Sequence, residues 1–289
     1  MDNVRSNPAI RLLLERGSWR AFAARRIPAR VMGAVLDCGA HAASGGNLQP
    51  YSVVVVQDRA VNRRLATLCR QPFVGQAPAN LLFCIDARRL ERWARLMDAP
   101  YTARGSFRHF WISFQDTIIA AQNICTAADA LGLGSCYIGT VMEFLPTLKR
   151  MFKLPHGVLP VVLLTVGYPA KRPQPRRKLG PQIIAHHGRY RDLPDAALLK
   201  AFEGKYPGFK LEATPQRRRE FEEVCRKVGG PAFARRCLAR VERQGHINMA
   251  QYYFGLHYRA DGMPDSNLRF MEQIGRSGFG WFKKYSHAQ

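Results

Sequence analysis

Apolar positions recur along this chain at two different periods, and the switching between them outlines a layered body of helices and strands. Val31, Val35, Cys38 and Ala42 follow Pro28 at helical spacing, and a proline suits a first helical turn, so a helix ending near His41 is predicted. A shorter helix is expected around Pro8–Glu15. Tyr51–Gln57, with valines at 53 to 56, reads as a buried strand, and a helix carrying Leu65 and Leu68 follows it. Ala79–Asp86 reads as a second strand of the same core, through Leu81, Leu82, Phe83, Cys84 and Ile85. Arg88–Leu96 is a short basic helix.

The span Ser106–Leu131 sustains one long helix whose centre, Asp116 to Asp129, is apolar on nearly every side and is therefore expected to be buried. Gly132-Leu133-Gly134 closes it, and Ser135–Gly139 begins an extended segment. A helix with Leu145, Leu148 and Phe152 leads into an interior strand over Pro160–Tyr168. Strands separated by long excursions indicate a layered α+β or α/β sheet. Pro169–Pro181 holds four prolines among basic residues and marks a boundary. Beyond it the chain becomes helical and aromatic-rich, with helices expected over Ala196–Phe202, Pro215–Val228, Pro231–Arg243 and Ser266–Ile274. Two parts follow, 1–184 and 185–289, with no internal repeat.

At 289 residues and 47% hydrophobic content the chain can bury a large core. No run of about 18 apolar residues occurs, and the start mixes charges into a helical pattern, so a cytoplasmic protein without a membrane span is expected. Cys38, Cys69, Cys84, Cys125, Cys136, Cys225 and Cys237 are odd in number and lack C-x-x-C spacing, as expected of small core residues in a reducing compartment. The formal charge of +23 raises nucleic acid as a partner. The excess is spread along the chain, chiefly as arginine, without one dense basic tract, which fits anionic cofactors as well.

The turn Ala43-Ser44-Gly45-Gly46-Asn47-Leu48-Gln49-Pro50-Tyr51 is the chain's most distinctive stretch, because a glycine-paired polar loop before a buried strand permits close approach to a planar heterocycle. Together with Arg16-Gly17-Ser18-Trp19-Arg20-Ala21-Phe22 and the segment Asp116–Gly139, it resembles the nitroreductase family of FMN-dependent oxidoreductases, over roughly residues 8–180. The resemblance implies a three-layer α-β-α sandwich around a mixed, mainly antiparallel sheet; the helical, aromatic-rich C-terminal extension lies outside it and is expected to wrap a dimer or cover the active site. Gly17, Ala43 and Tyr51 depart from the family pattern, which more often has arginine, proline and tryptophan there.

That resemblance assigns the flavin phosphate to Arg16, Ser18 and Arg20, with Arg176 and Lys178 as a second basic set. A phosphate near minus two needs several charge-assisted donors, and alternate positions of an extended segment face one side. Ser44, Gly45, Asn47 and Gln49 are assigned to the ring and ribityl chain, where amides both donate and accept. Ile138, Gly139 and Thr140 match the turn beside flavin N5 and O4. The implied reaction is ping-pong: NADH or NADPH reduces FMN at N5 and a flat acceptor, nitroaromatic or quinone, reoxidises it, with no amino-acid nucleophile. Tyr101, Phe107, Phe110 and Trp111 fall in the excursion that shapes access, and Tyr101, Phe107 and Trp111 are the substrate candidates. A homodimer with FMN at the subunit interface is implied, and Gln122 and Asn123 are expected to pair across it. His109, His186 and His187 lack a metal-like set of partners. A substrate-driven flavin dehydrogenase or oxidase, or a basic nucleic-acid-binding protein on a disused scaffold, are the competing readings.

Overall fold

Four strands form where the apolar runs are densest: β1 (Tyr51–Val56), β2 (Ala79–Asp86), β3 (Gly134–Ile138) and β4 (Val158–Gly167). The structure is a computed structural model and describes residues 2–171 and 176–283. Across the sheet the order is β1-β2-β4-β3, and all three ladders are antiparallel. Every residue of the central strands β2 and β4 is buried, which explains why neither alternates polar with apolar. Val161 is an extra residue opposite the Phe83/Cys84 step, so Val161 and Val162 both reach the same layer.

Short helices α1 (Asp2–Arg5) and α2 (Pro8–Glu15) precede α3 (Ala29–Ala40); α4 (Arg59–Cys69), α5 (Pro72–Gln76), α6 (Ala87–Leu96), α7 (Phe107–Ala130) and α8 (Leu145–Met151) follow. The sheet is sandwiched. Leu81, Phe83 and Ile85 face a layer built from α3 and α7, whereas Leu82 and Cys84 face one built from α4, α5 and α8. Side-chain caps start the helices where expected: Asp58 accepts from Val61 N–H at 2.8 Å, and Asp86 from Arg89 N–H at 3.0 Å.

The long helix departs from expectation in one respect. Trp111, Gln115, Ile119, Gln122 and Asn123 form an exposed, uncharged stripe along α7, so a single chain does not cover it all round. Gln122 accepts from the Tyr137 hydroxyl at 3.4 Å and Asn123 donates to Cys38 O at 3.3 Å, both within the chain. Cysteine placement differs too: Cys69, Cys84, Cys125, Cys136 and Cys225 are buried, but Cys38 is exposed.

Two compact units result, residues 1–175 with 270–289, and residues 176–269. The expected boundary at 184/185 falls inside the second unit, and residues 172–175 of the proline-rich segment lie outside the described residues. Residues 270–283 belong to the first unit. Phe279, only 1% exposed, sits in that unit's core with its ring 5.6 Å from Phe110, and Ser277 O accepts from Gly157 N–H at 2.8 Å. The Gly278–Phe282 aromatics are thus packed in part within their own chain.

The second unit contains α9 (Pro181–Ile184), α10 (Asp195–Lys205), α11 (Pro215–Gln244), α12 (Met249–Gln251) and the beginning of α13 (Asn267–Arg276). Gly230 breaks α11 with φ 77° and ψ −179°, just before Pro231, and the two arms correspond to the two helices predicted there. Phe221 and Cys225 on one arm pack with Ala234 and Val241 on the other, and Arg218 lies 3.6 Å from Glu242. Among the described residues, no helix is long and apolar enough to cross a membrane.

Candidate functional site

The loop Ser44–Gln49 is shaped by left-handed backbone at Gly46 (φ 59°), Asn47 (φ 55°) and Gln49 (φ 50°). Glycine and asparagine tolerate this region, whereas glutamine adopts it at a cost. Gln49 is held there by its surroundings: its N–H donates to Ser44 Oγ at 3.3 Å, its amide donates to Ala40 O at 2.8 Å, and its carbonyl accepts from Tyr51 N–H at 2.7 Å. Arg89, at the start of α6, also donates to Gln49 O and to Tyr51 O. Tyr51 braces the loop by donating from its hydroxyl to Gly39 O at 3.2 Å. A cavity of about 460 Å³ lies beside this loop, lined in part by Leu36, Leu48, Gln49, Tyr51 and Arg89. The Gln49 NH₂ group is therefore taken up by Ala40 of α3 and Tyr51 of β1, while Asn47 is exposed.

Asp116 of α7 anchors the loop from below. Gly45 N–H donates to its Oδ1 and Oδ2 at 3.2 and 3.1 Å, and burial pushes the carboxyl upward against this hydrogen bond. A Cβ on Gly45 would come within 2.9 Å of Ile112 Cγ2, so close approach requires glycine.

At the other end of α7 the segment Arg16–Phe22 runs beside β3. Ser18 bridges Ser135 in parallel, Trp19 N–H donates to Ser135 O at 2.9 Å, and Phe22 bridges Pro169. Gly134 makes room for this segment, since a Cβ there would strike the Trp19 ring. Arg16 Nε lies 3.2 Å from Asp129 Oδ2, while its Nη2 donates to Cys125 Sγ at 2.7 Å and to Ser135 Oγ at 3.3 Å. Burial pushes Asp129 up to about 6, although Arg16 opposes the shift. Burial also works against the Arg16 charge, but the facing Cys125 and Asp129 outweigh it and raise its affinity for the proton. Ser18 and Arg20 are exposed; the Arg20 guanidinium stands 5.9 Å from the Phe73 ring and joins no ion pair among the described residues.

Ile138 is buried at the end of β3, and Gly139 opens the next turn with free space where a Cβ would stand. Thr140 Oγ1 is buried beside the Cys69 thiol, a weak donor, and has no other partner among the described residues. Its hydroxyl therefore points into the core side of the turn.

Phe107 and Trp111 share an exposed face of α7 with ring centroids 6.5 Å apart, and Phe107 also meets Trp281 at 4.8 Å. Tyr101 is tied instead to Ala87 O at 3.4 Å. Arg176 and Lys178 are exposed in the second unit. His109 accepts or donates at Ser106 Oγ, 2.9 Å away, the His186 ring lies tilted 4.5 Å from that of Tyr190, and His187 is exposed. Among the described residues no three potential metal ligands gather.

Two anchoring carboxylates thus lie on one helix. Asp116 holds the loop and Asp129 holds Arg16, thirteen residues apart, or about 20 Å at the α-helical rise. Asp116, Asp129, Cys125, Ser135 and Arg89 were not among the sequence candidates. The signal for two of them was visible, since Asp116 and Asp129 are the only acids in α7.

The donor set at Arg16, Ser18 and Arg20 fits a phosphate, and the open turn at Gly139 fits a flat ring brought close to backbone. The chain is 29% identical over 215 residues to the oxygen-insensitive NADPH nitroreductase of Salmonella typhimurium, covering 74% of this chain and 87% of that one. A Bacteroides fragilis protein named as an oxidoreductase superposes with a TM-score of 0.76 at 25% identity, over 93% of this chain and 99% of that one. The NADPH:FMN oxidoreductase of Vibrio harveyi, solved with NAD+, gives a TM-score of 0.64 at 25% identity, over 83% and 98%. Residues 13–168, more than half of the chain and including all of α7, match the Nitroreductase family, and the chain belongs to that family.

Proposed function

We propose that this protein is an FMN-dependent NAD(P)H oxidoreductase that acts as a homodimer, with each flavin held between the Arg16–Arg20 and Ile138–Thr140 half of one copy and the Ser44–Gln49 half of the other. The separation along α7 carries this reading. A single rigid helix keeps the two half-sites about 20 Å apart, so a second copy is what brings complementary halves together. The uncharged exposed stripe Trp111, Gln115, Ile119 and Gln122 supplies a self-complementary surface on the same helix.

FMN, when bound, supplies the centre that accepts and donates hydride. Arg16, Ser18 and Arg20 bind its phosphate. Asn47 offers its exposed amide to the polar edge of the ring. Gly139 lets backbone N–H groups approach. Phe107 and Trp111 present a flat aromatic surface on which a nitroaromatic or quinone stacks, in the space that nicotinamide vacates. No side chain is required as a nucleophile. We place the enzyme in the cytoplasm, since its seven cysteines are scattered, odd in number and without C-x-x-C spacing.

Anaerobic titration of the purified protein with NADH and NADPH tests this reading, followed by a panel of nitroaromatic and quinone acceptors. A yellow protein bleached by either nicotinamide is expected. Colourless protein that takes up no added FMN would count against it, and steep salt-dependent duplex binding would then favour the nucleic-acid reading. An FMN-bound protein that neither nicotinamide reduces would point to a substrate-driven dehydrogenase or oxidase.

A further inference from the structure

Arg16 uses only part of its donor capacity within the chain. An arginine side chain carries five N–H donors in one rigid plane. Here Nε faces Asp129 Oδ2 at 3.2 Å and Cys125 Sγ at 3.2 Å, and Nη2 donates to Cys125 Sγ at 2.7 Å and Ser135 Oγ at 3.3 Å. Nη1 has no hydrogen-bond partner among the described residues. Tyr137 closes one side, its ring centroid 5.9 Å from the guanidinium carbon. Because the fork is planar, holding Nε and Nη2 sets the direction of both Nη1 hydrogens.

Asp129 is oddly placed for a purely helical role. It sits in the last turn of α7, where the helix dipole disfavours a carboxylate, and it is half-buried with a pKa pushed upward by burial. A charge held against both effects has a compensating partner, and Arg16 is that partner. Cys125 and Ser135 complete the cradle, 3.2 Å from each other, from α7 and β3 respectively.

We infer that Asp129, supported by Cys125 and Ser135, is a positioning residue that aims the free Nη1 edge of Arg16 at the cofactor phosphate. This rests on the reading that Arg16 binds the FMN phosphate. Asp129 does not touch the cofactor; it sets the orientation of a group that does. Its effect is therefore confined to flavins that carry a phosphate.

Binding of FMN and of riboflavin to the apo-dimer, followed by quenching of flavin fluorescence, separates these possibilities. Asp129→Asn is expected to weaken FMN roughly tenfold, the scale of one well-oriented hydrogen bond to a charge, and riboflavin less than about twofold. Arg16→Lys keeps the positive charge but not the planar fork, and is expected to lower the FMN-to-riboflavin preference by a similar factor. Arg16→Ala tests the underlying reading and should lower that preference at least as far. If Asp129→Asn keeps the wild-type preference while Arg16→Ala loses it, the phosphate reading stands and the positioning role of Asp129 falls. An unchanged preference in Arg16→Ala overturns both. Should Asp129→Asn fail to fold, Arg16→Lys decides, because Asp129 keeps a cationic neighbour there; an unchanged preference would overturn the proposal.

Discussion

Gly45 and Asp116, 71 residues apart in sequence, are joined by one backbone N–H that faces both oxygens of a buried carboxylate at 3.2 and 3.1 Å. This contact couples the strained Ser44–Gln49 loop to the long helix α7. Replacing Asp116 by alanine removes the acceptor, and amide exchange at Gly45 and Asn47 is expected to accelerate by about tenfold or more as the loop opens locally. Asp116→Asn retains an acceptor oxygen and should lie between the two. Exchange rates indistinguishable from wild type in the alanine variant would show that the loop holds itself.

Asp129 carries a pH signature. Its carboxyl binds a proton more tightly in the folded chain, at a pKa of about 6, than an ordinary aspartate does. Its contribution to stability is therefore complete below about pH 4 and lost as pH rises through about 6. Apo-protein melting curves measured from pH 4 to 8 should accordingly fall more in wild type than in Asp129→Asn. FMN affinity responds in the opposite sense, since only ionised Asp129 aims Arg16. The preference for FMN over riboflavin should drop below pH 6 more in wild type than in the asparagine variant, the phosphate's own titration being common to both.

Gly134→Ala tests the contact that seats the Arg16–Phe22 segment on β3. An added Cβ strikes the Trp19 ring, and overpacking of this kind typically costs about 1–3 kcal/mol. A lower melting temperature together with weaker FMN binding is expected. Normal FMN binding at lowered stability would separate the segment's packing from the phosphate site.

Phe279 reports on the C-terminal return. Truncating a side chain that is 1% exposed in the core of the first unit should destabilise it by about 3–5 kcal/mol in denaturant titration. A loss below about 1 kcal/mol would mean that this ring contributes little to the core.

The α7 stripe is open to a simple charge test. Ile119 is 42% exposed, so Ile119→Arg costs the isolated fold little, whereas a two-fold interface through α7 would meet the new charge from both copies. Light scattering is expected to show a dimer for wild type and a monomer for the variant, with FMN retention lost alongside. An unaltered dimer would exclude α7 as the contact.

Much of the fold was legible because burial writes itself into composition. β2 and β4 stand out as continuous apolar runs since both faces are covered, and the long helix stands out since the buried side of its second half is built from Ala120, Ala121, Ile124, Cys125 and Ala128. The break at Gly230-Pro231 was equally visible, as backbone chemistry acts locally. The extra residue at Val161 was not, because a bulge depends on which strand lies opposite.

The sequence alone determined the order of the strands and main helices and the family pattern of Arg16–Arg20, Ser44–Gln49 and Ile138–Thr140, all of which rest on near neighbours or recurring motifs. Only the tertiary structure decided that Asp116 secures the Ser44–Gln49 loop and Asp129 holds Arg16, that the Gln49 amide is spent on Ala40 and Tyr51, and that Phe279 belongs to the core. Those outcomes come from contacts between residues tens to over a hundred positions apart, and no local spacing records which distant group will satisfy a buried charge or an unpaired N–H.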